Sequence, residues 1–378
     1  MAAPARLNDR PRSPERGGFR RRLPGGVVVM AALIGLGRIF FGSRKDAPAT
    51  GARQARQTTS GDAAGRGRDA DGPAEIPARG WMDVGWRLYN EVQDDRVLLV
   101  AAGVTFYGLL ALFPAIGALV SLYSLFADAA TINQHFGLLA GFLPGGALEV
   151  IGDQVRRIAE QDQGKLGLGF LISLVLSLWG ANAGTKSIFD ALNIIYGEEE
   201  KRGFIKVTLW SLTFTAGAIA LALIASASVV AVPIVLGLLG VSQGSGPGLL
   251  ALMRWPLLGV LILLALACLY RFGPSRARPQ WRWVTWGSAI AGAIWIAGSL
   301  AFSWYVANFG NYNATYGSLG AVIGFMIWMW LSTIVVLLGA EINSEMEHQT
   351  AKDTTEERGK PRGARGARMA DEIGEARA

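Results

Sequence analysis

The residues best placed to do chemistry in this chain fall at two points. Asn182, Lys186, Asp190 and Asn193 are spaced by four, four and three positions, with Trp179 just before them. At 3.6 residues per turn this spacing stacks all four on one helical face, and Lys186 can pair with Asp190 across a turn. Such a face suits either of two roles. Lys186 snorkels to water with Asp190 as its neutralising neighbour, or the four residues line a polar vestibule. The second point is Glu341, which follows Gly339 and Ala340 at the end of an apolar run, with Asn343 after it. An acid at a helix C-terminus opposes the macrodipole, so capping does not explain it. It is either a surface acid at headgroup level or the partner of a loop Lys or Arg that locks or gates the helices.

Hydrolytic and metal chemistry find little support. The chain has one cysteine, Cys268, and two histidines, His135 and His348, far apart. No intrachain disulfide can form, and zinc or iron–sulfur sites draw more Cys and His ligands at closer spacing. Carboxylate-only Mg²⁺ or Ca²⁺ sites have no signature here. GxSxG, HExxH, P-loop and CxxC motifs are missing from the sequence, so the expectation is no catalytic residue, no cofactor and no metal.

The elements that must carry these residues follow from composition. Of 378 residues, 51% are apolar and only 17% charged, and the mean hydropathy is +0.32. A soluble domain carries about 25% charge. The charge is also unevenly placed. Residues 1–96 hold 17 Lys/Arg and 11 Asp/Glu, residues 342–378 hold 7 and 8, and the long middle holds only 12 and 10. A disordered chain, a disulfide-stapled secreted domain and an ordinary water-soluble enzyme are excluded as main readings, which leaves an integral membrane protein.

Six apolar stretches are long enough to cross a hydrocarbon core, at about 97–126, 165–184, 205–239, 249–270, 283–307 and 317–340; a crossing takes about 20 helical residues. They lack the period-2 alternation of barrel strands, so the expected fold is all-α: a polytopic membrane bundle with six core helices. The first and third runs, roughly 45–50 Å long as straight helices, must tilt, protrude or break. Loops 185–204 and 271–282 carry Lys and Arg, while loops 240–248 and 308–316 carry none. By the positive-inside rule the basic loops, and with them both ends of the core, are cytoplasmic.

The flanks divide into a basic disordered N-terminus (1–22), an extra hydrophobic stretch (23–41) interrupted by Arg38, an Arg/Gly-rich flexible linker (42–80), a membrane domain (81–350) and a charged disordered tail (351–378). The 23–41 stretch reads equally as an additional span or as an interfacial or re-entrant helix. Two amphipathic segments read as interfacial braces: Trp81, Val84, Leu88 and Val92 share one face, as do Leu148, Ile151, Val155 and Ile158.

Pro114, Pro233 and Pro256 sit in the outward half of their helices under this orientation. Each frees a carbonyl and bends its helix, so together they either open an outer cavity or serve packing. Gly180–Gly184 and Gly320–Gly324 fit the small-xxx-small pattern of close helix contact. The basic excess is explained by topology rather than by nucleic acid. The expected partners are the bilayer and a lipid or small amphiphile.

Five runs carry a family resemblance. They are Ala101–Pro114 with Thr105 and Tyr107, Trp179–Ser187 followed by Ala191–Tyr196, and Tyr312–Ala321 with Tyr316 and Gly317, together with Leu337–Asn343. They resemble the YihY/BrkB family of bacterial inner-membrane proteins over about 81–350. The resemblance implies six spans with cytoplasmic termini. The family has no agreed substrate; some members were labelled ribonuclease BN and others tied to virulence or serum resistance. The three outer-half prolines, the polar face at Asn182–Asn193 and Glu341 favour a permease or lipid translocator, and the alternative is a non-transporting envelope-integrity scaffold. The ribonuclease label finds no metal or general-base constellation here to support it.

Overall fold

A computed structural model describes residues 65–123, 168–238, 247–309, 319–357 and 359–377, all within the compact unit Gln54–Ala378. The stretch at 23–41, the amphipathic segment around Leu148–Ile158, and Tyr316 and Gly317 lie outside the described residues. Among the described residues there are helices, turns and one isolated bridge between Pro279 and Thr355, and no strand.

A 3-10 turn (Pro73–Glu75) leads into α1 (Ala78–Asp94). The long helices follow: α2 (Val97–Tyr123), α3 (Leu168–Ile195), α4 (Phe204–Leu238), α5 (Pro247–Phe272), α6 (Trp281–Phe309) and α7 (Leu319–Glu347), and then a single turn, α8 (Arg368–Asp371). Helices thus occupy all six expected places. Four of them hold stretches long and apolar enough to cross a membrane by length and composition: Val97–Ala118, Phe204–Ile224, Trp281–Asn308 and Val322–Glu347. Between 11% and 28% of each such stretch is buried within the protein. The outer faces of the long helices present large apolar side chains, among them Leu99, Leu176, Leu209, Val260 and Leu300. Backbone bonds closed within each helix and an apolar outer surface are what a lipid solvent demands.

Consecutive helices pack on each other from α2 to α7, and α7 returns to α2, with α2 and α3 sharing the most extensive contact. Small residues permit that contact. A side chain at Gly180 would start 2.8 Å from the Pro114 ring, and one at Gly184 would start 3.1 Å from the Ala111 Cβ. Pro114, inside α2, is therefore a packing surface. Gly324, by contrast, has nothing within 4 Å of where a side chain would begin. The small-residue pattern at 320–324 therefore makes no helix contact at Gly324. The α6–α7 contact instead uses Gly287, where any side chain would collide with Asn343 and the Gly339 carbonyl.

One end of the bundle is covered by a cap. The greasy face of α1 does not lie free: Val84, Trp81 and Leu88 pack with Ala70, Ile76, Trp283, Ile342 and Met346. Residues whose composition reads as linker (65–77) and tail (351–377) are hydrogen-bonded to each other here. Arg68 donates to the carbonyls of Gln349 (3.1 Å) and Gly374 (2.7 Å), and Arg66 pairs with Asp83 at 2.8 Å. Arg365 donates to the Ala351, Lys352, Lys360 and Ala370 carbonyls. Carbonyls that a loop would otherwise show to water are thereby satisfied by guanidinium groups. Trp86, Tyr89, Trp281 and Trp286 are exposed around this end, amphipathic rings of the kind that favour the membrane–water interface.

Candidate functional site

The helix α3 ends in a glycine stop. Gly197 has φ +60°, and the Glu198 N–H donates back to the Asn193 carbonyl at 2.8 Å, closing the last turn. That stop fixes the register of the polar face upstream, which the structure divides. Asn182 is 2% exposed and accepts a hydrogen bond from the Thr215 hydroxyl at 3.4 Å. Thr215 also lies 2.7 Å from the Thr185 hydroxyl. One turn on, Lys186 Nζ donates to the Thr208 hydroxyl at 2.9 Å and sits 5.1 Å above the Phe204 ring and 5.9 Å from that of Trp179. The expected Lys186–Asp190 ion pair does not form among the described residues. The lysine turns across the interface to α4, and Asp190 is exposed.

Asn193 serves a different neighbourhood. It is buried, donates to Glu200 at 3.1 Å and accepts the Ser275 N–H at 2.7 Å, so it joins two loops at the capped end. Glu200 also takes two bonds from Arg202, both 2.7 Å. Against the cost of burial, these bonds hold the Glu200 carboxyl down to about 2. The stacked face is therefore a three-layer arrangement: a polar seam between α3 and α4, an exposed acid, and a loop tie.

Glu341 is not a surface acid, and among the described residues it is not the partner of a loop cation. It is 1% exposed, and among the described residues its Oε1 has no hydrogen-bond partner. Its neighbour is the side chain of Asp95, in the corner between α1 and α2. That corner is fixed by Arg96, whose φ of +52° turns the chain sharply. Burial, and then the charge of Glu91, push the Asp95 carboxyl up to about 7. Glu341 thus stands against a second acid rather than a cation. Further along α7, Glu345 pairs with Arg87 and lies 3.6 Å from His348, and Glu347 takes two bonds of 2.9 Å from Arg276.

The remaining expected residues are scattered. Thr105 is buried and donates to the Ala101 carbonyl at 2.7 Å, with Thr333 at 3.4 Å. Tyr107 and Trp179 are exposed on the bundle's outer face. Pro114 contacts the α2–α3 interface, Pro233 lies within α4, and Pro256 is exposed in α5.

Sequence reasoning passed over Thr208, Ser211 and Thr215, whose three- and four-residue spacing inside an apolar run marks a polar stripe on α4. It also passed over Asp95, Arg87 and Arg276, which have no local pattern to reveal their partners. Among the described residues, no group of three or more His, Cys, Asp or Glu side chains is placed to hold a metal.

Apolar outer faces, four span-length helices and a sparse buried polar seam define a helical membrane protein. The profile of the family described as virulence factor BrkB matches residues 88–364, and the chain belongs to that family. It is 31% identical over 255 residues to a putative ribonuclease-like protein of Bacillus subtilis, covering 65% of this chain and 88% of that one. It is 30% identical over 267 residues to a UPF0761 membrane protein of Neisseria meningitidis serogroup B, covering 70% of this chain but only 63% of that protein. A UPF0761 membrane protein of Methylibium petroleiphilum is 26% identical over 272 residues, covering 69% of this chain and 62% of its own length. The chain thus spans less than two thirds of the latter two relatives. No solved structure matches it.

Proposed function

We propose that this chain is a six-span protein of the bacterial inner membrane, with both ends of its core in the cytoplasm, that translocates a lipid or small amphiphile without covalent chemistry. The observation that supports this reading is the seam of Asn182, Thr185, Lys186, Thr208 and Thr215 between α3 and α4. Polar groups at membrane depth are costly, and they are kept where they serve a path or a switch. The buried Asp95–Glu341 corner adds a second polar group at the capped end.

The test is flux in reconstituted vesicles. Neutralising Lys186, Asp190 and Glu341, or replacing Asn182 and Thr215 by Leu and Val, is expected to abolish movement of labelled lipid. Unchanged flux for every lipid and solute tried would sink the translocator. Reporter fusions at residues 22 and 60 check the orientation and whether 23–41 crosses.

A second reading, a non-transporting envelope scaffold, is favoured by the glycine-mediated closeness of α2 to α3 and α6 to α7. It expects a bundle that stays closed and variants that weaken the envelope without altering flux. The ribonuclease-like name belongs to the Bacillus relative. For this chain we expect purified protein, freed of contaminating nucleases, to leave RNA intact.

A further inference from the structure

At the capped end of α4 two depressions lie side by side. One is an apolar groove of about 630 Å³ along Phe204, Ile205, Leu209 and Thr213. The other is a basic basin of about 430 Å³ whose floor is formed by Arg271, Phe272 and Ser275. Lys206 and Trp210 line both. The Trp210 indole donates to the Phe272 carbonyl at 2.9 Å, which fixes the wall between them.

Most cations of the basin are already committed. Arg202 is paired with Glu200, Arg271 with Glu356, Arg276 with Glu347 and Lys201 with Glu198. Two are not. Lys206 and Arg278 are exposed and, among the described residues, their side chains make no ion pair and no hydrogen bond. The Arg278 guanidinium lies over the face of Phe272, 5.4 Å away. The groove beside Lys206 is open, with Phe204 and Ile205 each 74% exposed.

We infer that Lys206 and Arg278 bind the phosphate of a phospholipid with a net negative headgroup, whose acyl chain lies in the groove along Phe204, Ile205 and Leu209. The shape and the charge both select this ligand. A free phosphate has no use for an apolar groove. A zwitterionic lipid brings its own cation against two unpaired ones. Basic pockets beside membrane helices are suited to anionic headgroups, each nearby Lys or Arg adding to affinity. The site does not rest on translocation, since a lipid can be held here whether or not any lipid crosses.

The test uses the full chain in detergent, titrated with phosphatidylglycerol or phosphatidylcholine, with retained lipid counted by native mass spectrometry. Wild type is expected to retain phosphatidylglycerol preferentially. Lys206→Ala with Arg278→Ala is expected to cut that preference about thirtyfold, toward none, without shifting the lipid-free melting temperature. Leu209→Asn is expected to weaken lipid retention through the groove alone. Lys352→Ala, a cation removed elsewhere, is expected to leave the preference unchanged. Equal retention of the two lipids, an unaltered preference in the double variant, or an equal loss in Lys352→Ala would overturn the assignment. Displacement by millimolar inorganic phosphate as effective as by lipid would reduce it to an anion site and overturn the lipid. Because flux is not read, a protein that binds but does not translocate still passes.

Discussion

The charged residues at the capped end divide into two populations that share the same surroundings but not the same condition. In the cap proper, Arg66, Arg87, Arg276 and Arg365 are each bonded to carboxylates or backbone carbonyls, and the Arg276–Glu347 pair is buried to 1% and 0% side-chain exposure. Lys206, on the flank of α4, lines both the apolar groove and the basic basin, and Arg278 stands open in the same basin. The difference teaches how to sort the basic residues of a membrane protein. Those that satisfy carbonyls and buried acids hold the fold, and those left over are free to take a ligand. Net charge makes no such distinction.

The comparison breaks most visibly at Arg276. Arg276→Ala leaves Glu347 buried and uncompensated, and the expected loss is about 3–5 kcal/mol. It would be read as a large drop in melting temperature in detergent and faster proteolysis of residues 351–377. Replacing both partners, Arg276→Met with Glu347→Leu, should recover much of the loss. A double variant no better than the single one would mean that the pair is not the fastening it looks to be.

Gly180→Ala asks whether damage in the apolar interior matches damage in the cap. The added methyl meets the Pro114 ring, and overpacking of this kind costs about 1–3 kcal/mol. Faster hydrogen exchange in α2 and α3, with the cap still protected, is the expected pattern.

At the Asp95 corner like charges face each other, which sharpens the contrast through pH. Asp95 is faced by Glu91 and Asp94 on α1, by Glu341 on α7 and more distantly by Arg368 of α8. Its folded carboxyl binds a proton more tightly than the unfolded one. That contribution to stability is therefore complete at low pH and is lost as pH rises toward and through about 7. Melting temperature should fall between pH 5.5 and 8 in the wild type, and the fall should flatten in Asp95→Asn. An equal slope in both would remove Asp95 as the cause.

The smallest effect is expected at Lys352, whose 2.6 Å pair with Asp71 is 43% and 59% exposed. Lys352→Ala should cost less than about 1 kcal/mol, and less still in high salt.

The sequence by itself determined the membrane class, the places of the six long helices and the existence of a polar face at Asn182–Asn193. Those properties are local: hydropathy over 20 residues and a period of 3.6 are visible within one helix. It also placed Gly180–Gly184 correctly as a contact. The tertiary structure decided what the polar residues touch. Lys186 reaches Thr208 rather than Asp190 because α4 packs against it, and Glu341 meets Asp95 because Arg96 turns the chain there. The cap is the strongest case. Residues 65–77 and 351–377 are too polar to announce a fold, yet Arg68 and Gln349 meet across 281 positions. No window of sequence holds such a contact, since it exists only once the helices have brought the two ends of the core to the same side.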